Sequence, residues 1–175
     1  MKTTVYIATS LDGFIARPDG GLDWLPQGGG GGEDYGYKAF MATVDALVMG
    51  RGTYDKVLTF GAWPYDKPVY VLSSRALAPT PAPGHVVEWV QGEPAEVVKK
   101  MAALGHRHLY IDGGQTIQRF LRAGLIDRVI ITRIPVLIGT GIPLFGRLEH
   151  DVHLRHVQTR SFPSGLVQSE YEVVR

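Results

Sequence analysis

Met49-Gly50-Arg51-Gly52-Thr53 is the first segment of this chain whose residue types and spacing suggest chemistry. An apolar run, Ala46 to Met49, ends in glycine and passes at once into Arg51-Gly52-Thr53-Tyr54, where a short helix is expected. A helix that begins directly at a strand end leaves backbone N–H groups pointing outward. Together with the helix dipole they suit an anion such as a pyrophosphate. Glycine at 50 and 52 lets that anion approach the backbone, and the Thr53 hydroxyl adds a donor. Taken alone, the pattern also serves an ordinary strand–helix turn.

Three further segments give it company. Ser73-Ser74-Arg75 ends the next expected strand, about twenty residues on, where dinucleotide sites that prefer NAD place a carboxylate for the ribose hydroxyls. Two hydroxyls and a guanidinium there suit a ribose 2′-phosphate instead, with Arg51 as a second positive charge. Asp112-Gly113-Gly114-Gln115-Thr116 repeats the first design of strand, glycine and helix start. Two such starts at the carboxyl ends of parallel strands define a crevice for an extended dinucleotide, although the spacing is not G-x-G-x-x-G. Ser10-Leu11-Asp12-Gly13-Phe14-Ile15-Ala16 leaves the first strand. Asp12 there is either a partner for a heterocycle's amino-pyrimidine edge or the cap of an Asx turn.

The elements that must hold these segments follow from apolar periodicity. Short apolar runs predict strands at Val5–Ala8, 46–49, 69–72, 85–90, 109–111 and 129–134, with a final pair near 151–159 and 166–174. Helical spacing links Tyr37, Phe40, Met41 and Val44, behind a helix start placed at Glu33-Asp34. Pro94 opens a helix whose inner stripe is Val97, Val98, Met101 and Leu104, and Ile117, Phe120, Leu121 and Leu125 mark another. A long loop with the glycine run Gly28–Gly32 follows the first strand, a rigid turn occupies Thr80–Gly84, and another loop runs from Ile138 to Phe145. This order predicts an α/β fold, a mostly parallel central sheet flanked by helices with a C-terminal antiparallel hairpin, as a single domain over residues 1–175.

Bulk properties narrow the function classes. The 175 residues carry a formal charge of +1, 45% hydrophobic and 20% charged residues, which argues against a nucleic-acid-binding face. With no cysteine there is no disulfide framework, thiolate metal site or cysteine nucleophile, and the six histidines show no metal-ligand spacing on a shared face. No apolar run approaches the length of a membrane span, and no signal peptide is evident, so a cytoplasmic protein is expected.

In chain order, the Ser-Leu-Asp-Gly, Gly-Arg-Gly-Thr, Ser-Ser-Arg and Asp-Gly-Gly segments resemble the dihydrofolate reductase superfamily. They are most similar to its branch in the reductase domain of bacterial riboflavin biosynthesis, and the resemblance runs from Val5 to the final hairpin. It implies a three-layer dihydrofolate reductase-like fold and NADPH as cofactor. Gly50, Arg51, Gly52 and Thr53 would lie at the phosphates, and Ser73, Ser74 and Arg75 near the adenosine 2′-phosphate. Gly113, Gly114, Gln115 and Thr116 would lie along the pyrophosphate and nicotinamide side, with Ala8 and Ile15 against the nicotinamide.

The implied activity is hydride transfer to a small heterocyclic substrate, most like 5-amino-6-(5-phosphoribosylamino)uracil reductase. A dihydrofolate reductase and an NADPH-binding non-catalytic or regulatory relative are the alternatives. Asp112 stands where the riboflavin branch carries a carboxylate, one methylene shorter than its usual glutamate. Asp12 and Asp112 are the candidate catalytic residues, as substrate orienters and proton donors. The chain departs from that branch in having Tyr54-Asp55-Lys56 where an acidic Asp-Pro element is usual. It also lacks an obvious basic clamp for a sugar phosphate, with only Arg17 and Lys38 as candidates. The C-terminal hairpin exposes edges on which a homodimer could form.

Overall fold

A computed structural model describes residues 1–26, 33–76 and 84–175. The Gly28–Gly32 run, and the expected turn at Thr80 as far as Pro83, lie outside the described residues. One eight-stranded sheet holds the chain together in the order β5-β4-β3-β6-β1-β7-β10-β9. Its strands are β1 (Lys2–Ser10), β3 (Ala46–Gly50), β4 (Val69–Leu72), β5 (Val87–Val90), β6 (His108–Asp112), β7 (Arg128–Ile134), β9 (Leu154–Ser161) and β10 (Val167–Val173). The first six in spatial order are parallel, β10 runs antiparallel to β7, and β9 antiparallel to β10. This is the α/β architecture expected from the strand and helix order, with the hairpin at one edge.

Both faces of the parallel part are covered, which is why its strands read as unbroken apolar runs. On β3, Ala46, Leu47, Val48 and Met49 are all fully buried. Ala46 and Val48 belong to one packed cluster with Val97, Met101, Ile117 and Phe120. Their neighbours Leu47 and Met49 belong to the other, with Phe40, Tyr54, Val57 and Tyr110. Helices α3 (Pro94–Ala103) and α4 (Gly114–Arg122) therefore lie on one face, and α1 (Tyr37–Met41) and α2 (Arg51–Val57) on the other.

Several boundaries differ from the periodicity. The first helix begins at Tyr37, not at Glu33-Asp34, because Gly36 takes a left-handed conformation (φ 85°) just before it. Asp34 stays outside, where its carboxylate accepts from the N–H groups of Gly36 (3.1 Å) and Lys38 (3.0 Å). Leu104, expected on the inner stripe, is 51% exposed because α3 ends at Ala103 and the chain turns away. The loop after β1 contains a short strand, β2 (Phe14–Ala16), paired with β8 (Ile142–Pro143) inside the other expected loop. Strands this short carry too few residues for alternation to show. Among the described residues, no helix is long and apolar enough to cross a membrane, and no group of three metal-ligating side chains converges.

Phe120 is fully buried between α4 and the sheet. Phe120→Ala is expected to lower unfolding free energy by about 3–5 kcal/mol through transfer and cavity costs. Leu104→Ala, at an exposed position, should change it by less than about 0.5 kcal/mol. Urea unfolding of both variants checks the assignment of inner and outer faces.

Candidate functional site

The carboxyl ends of four neighbouring strands line up along one edge of the sheet: β4 before Ser73, β3 at Gly50, β6 at Asp112, and β1. A cleft of about 1050 Å³ follows this edge. It is lined by Ser73 and Ser74 toward one end, then Gly50, Arg51, Gly52 and Thr53, then Gly113, Gly114, Gln115 and Thr116, with Ala8 and Ile15 also on its wall. The fold brings these residues, far apart in the chain, to one cavity.

The middle of the cleft depends on missing side chains. A Cβ on Gly113 would collide with the Thr53 hydroxyl, and Gly113 also sits at φ 88°, a conformation that favours glycine. A Cβ on Gly50 would lie 2.8 Å from the Thr116 hydroxyl. The starts of α2 and α4 therefore interlock, with a threonine from each turned toward the glycine of the other.

Neither helix start has a side-chain cap. By contrast α3 carries a capping box in which the Glu96 carboxylate accepts from the Glu93 N–H at 2.8 Å. The first-turn N–H groups of α2 and α4 thus lack a side-chain cap beside the cleft, where water or a ligand can meet them. Three cations also line it. Arg51 is paired with Asp55 at 2.8 Å, Arg119 with Glu93 at 3.3 Å, and Lys56 has no ion-pair partner among the described residues.

The lining also has a phenolic and apolar part, with Tyr37, Tyr65 and Tyr110 within reach of the Asp112 charge, Tyr6 on β1, and Leu22 and Leu25 from the loop after β2. The hydroxyls of Tyr110 and Tyr6 are committed, donating to the carbonyls of Tyr6 (2.8 Å) and Tyr35 (2.8 Å). Asp112 is half-buried as a residue, but its carboxyl is enclosed, and burial pushes it up to about 6. Only the Gly113 N–H, donating at 2.8 Å, opposes that shift. Burial first, and the Asp112 charge second, raise Tyr37 to about 12 and move Tyr65 and Tyr110 upward as well. The phenols remain protonated donors beside a carboxyl that exchanges its proton near neutral pH.

Two expected site residues stand elsewhere. Asp12 does not line the cleft: its exposed carboxylate accepts from the Ser10 hydroxyl (2.6 Å) and from the N–H groups of Ile138 (3.3 Å) and Gly139 (2.8 Å). The three contacts tie it to the end of β1 and to the loop after β7. The same contacts, the Ser10 hydroxyl foremost, hold its pKa below the usual carboxylate value. Arg75 is exposed and outside the lining, its N–H donating to the Ser73 hydroxyl at 3.1 Å. Of the proposed basic clamps, Arg17 is engaged by Asp23 at 2.6 Å and Lys38 is exposed.

The tyrosines, Lys56 and Arg119 were not singled out from sequence as site residues. Tyr37 and Tyr110 fit the periodicity of a core helix and a core strand, and Tyr65 lies in an irregular stretch with no pattern to place it.

Residues 1–168 match the family model of the RibD C-terminal domain. The chain is 40% identical over 164 residues to YwjB, an uncharacterized protein of Bacillus subtilis, covering 92% of each. It is similar at 43% identity and TM-score 0.92, over 100% of both chains, to a Shewanella sp. PV-4 protein assigned provisionally to riboflavin biosynthesis. Acinetobacter baumannii RibD shares the fold, with TM-score 0.76 at 16% identity, and 99% of this chain covers 58% of that one.

Because Asp112 rises from 3.8 to about 6, the folded protein holds that proton more tightly than the unfolded chain. Its contribution to stability is therefore most favourable below about pH 4, declines as pH rises to about 6, and is level above that. Asp112→Asn is expected to remove this decline and to raise stability at pH 7.5 by about 1–3 kcal/mol. Urea unfolding at pH 4 and pH 7.5 checks it; an unchanged pH dependence in the variant would dismiss the enclosed-carboxyl reading.

Proposed function

The chain belongs to the family of the RibD C-terminal domain, and on that premise we propose that it is a cytoplasmic NADPH-dependent reductase acting on a small heterocyclic substrate. At the level of the family it is a riboflavin-pathway-type reductase. The finer reading is an activity like that of 5-amino-6-(5-phosphoribosylamino)uracil reductase. The observation that carries it is the pair of uncapped helix starts facing one cleft, with Ser73 and Ser74 at the next strand end.

The donors present fit a phosphorylated dinucleotide. Gly50, Arg51, Gly52 and Thr53 would hold one phosphate, and Gly113, Gly114, Gln115 and Thr116 the other and the adjoining ribose. Ser73 and Ser74 would donate to a 2′-phosphate, with Arg75 closing on it from the rim. Bound NADPH supplies a hydride. Ala8 and Ile15 would pack the inner end and keep water from it. Asp112 would orient the substrate ring and, titrating near 6, hold the proton that the reduced heteroatom needs. Tyr37 and Tyr65 supply neutral donors on the same wall. A homodimer through the exposed β9 edge belongs to the same proposal; sedimentation at 19.2 kDa would remove it.

A hundredfold excess of NADPH over its dissociation constant adds about 2.7 kcal/mol of stability. For a chain of this size that raises Tm by about 5–10 °C. NADH is expected to give much less, and Arg75→Ala to weaken NADPH binding selectively by about 1.5–3 kcal/mol. Equal stabilisation by the two cofactors would remove the role given to Ser73, Ser74 and Arg75. Loss of absorbance at the reduced nicotinamide band, followed with dihydrofolate and with aminouracils, separates the readings. Methotrexate-sensitive turnover of dihydrofolate would favour a folate reductase, and tight cofactor binding without turnover a regulatory relative.

A further inference from the structure

Asp12 does not line the cleft, yet its contacts join two segments that contribute to one wall of it. Strand β2 follows it directly and places Ile15 on that wall, while β8 places Ile142 there. The two strands pair at Phe14–Pro143 and Ala16–Ile142. A ribbon of three residues against two is marginal by itself in water. It is supported by two main-chain bonds, Leu11 N–H to the Val136 carbonyl (2.8 Å) and Leu144 N–H to the Gly13 carbonyl (3.1 Å). Among the described residues, the side-chain hydrogen bonds that join the Ser10–Phe14 turn to the Pro135–Leu144 loop both end on the Asp12 carboxylate.

The surroundings of that carboxylate are built for the purpose. Ser10 is fully buried at the end of β1, donates to Asp12 at 2.6 Å, and accepts from the Phe14 N–H at 3.0 Å. One hydroxyl thus aims the carboxylate and fixes the first residue of β2. On the opposite side, Gly139 presents its N–H from a left-handed conformation (φ 77°). At Gly141 a Cβ would strike the Ala16 carbonyl and lie 3.0 Å from the Phe14 Cβ, so the two loops are in direct contact. The ribbon then presses on the site: a Cβ on Gly114, at the start of α4, would lie 2.7 Å from Ile15 Cδ1.

We propose that Asp12 is a positioning residue, a carboxylate latch that fixes the β2–β8 ribbon and so seats Ile15 and Ile142 as the roof over the inner end of the cleft. The significance for hydride transfer rests on the reductase reading above. The latch itself concerns the protein alone. An acceptor of this charge and reach is needed because two N–H groups on one loop must be met from another, and charged acceptors make the stronger bonds.

The test compares the full chain with Asp12→Ala and Asp12→Asn in two measurements. In the absence of cofactor, amide hydrogen exchange at Ile138, Gly139 and Leu144 is expected to quicken about tenfold in Asp12→Ala, equivalent to about 1.4 kcal/mol. Asp12→Asn, which keeps one oxygen acceptor, is expected to fall between. With NADPH added, the adenosine end is untouched, so the dissociation constant should change less than about threefold on the same scale. The fluorescence of the bound nicotinamide should fall toward that of free cofactor as water enters under the loosened roof. A merely structural role would shift Tm or affinity without that spectral change.

Unchanged exchange at Ile138 and Gly139 in Asp12→Ala overturns the latch. Faster exchange with unaltered nicotinamide emission overturns the positioning role. If the unsubstituted protein binds no NADPH, the reductase reading fails instead, and the latch is judged on amide exchange alone.

Discussion

The close approach of two helix starts, at Gly50 and Gly113, is the constraint on which the site depends. Adjacent parallel strands set the two turns side by side, since Met49 is in register with Asp112. Each turn fills the space that a side chain on the other would need, through Thr53 and Thr116. The result is a double row of N–H groups without intrahelical partners, facing one cavity. Such groups are costly to bury unmet, so the arrangement makes physical sense as a receptor for anionic oxygen.

Around that centre the cleft changes character along its length. Toward β4 it offers hydroxyls and cations partly neutralised by Asp55 and Glu93. Toward β1 it offers phenols, aliphatic carbons and one enclosed carboxyl. The second environment disfavours charge, which is why Asp112 rises and the phenols stay protonated. A polar, anion-receptive end joined to a dry aromatic end suits a ligand pair in which the charged part binds and the flat part reacts.

Much of this was legible from short stretches of residues. The parallel strands announced themselves as apolar runs because both faces of the sheet are covered, and the glycines after 49 and 112 marked the turns. Asp112 was found because it adjoins one of those glycines. Asp12 was also singled out, but it stands outside the cleft lining: a carboxylate beside a turn looks the same in sequence whether it faces a ligand or a second loop. The loop it meets lies 127 residues away at Gly139, and nothing local encodes that meeting. The tyrosines were hidden for the opposite reason. Tyr37 and Tyr110 satisfy core periodicity while their edges reach the cavity, so pattern alone assigns them to packing. The first helix began late because the left-handed Gly36 breaks the turn, although Glu33-Asp34 has the composition of a helix start.

The strand order also works as a ruler. Ser73, Gly50, Gly113 and the end of β1 stand on four consecutive strands, three inter-strand gaps apart. At about 4.8 Å per gap this fixes a span of about 14 Å. A ligand that engages all four must lie stretched across the sheet rather than along a strand. The molecular length the protein can measure is therefore written in its topology, and no change of side chain alone would alter it.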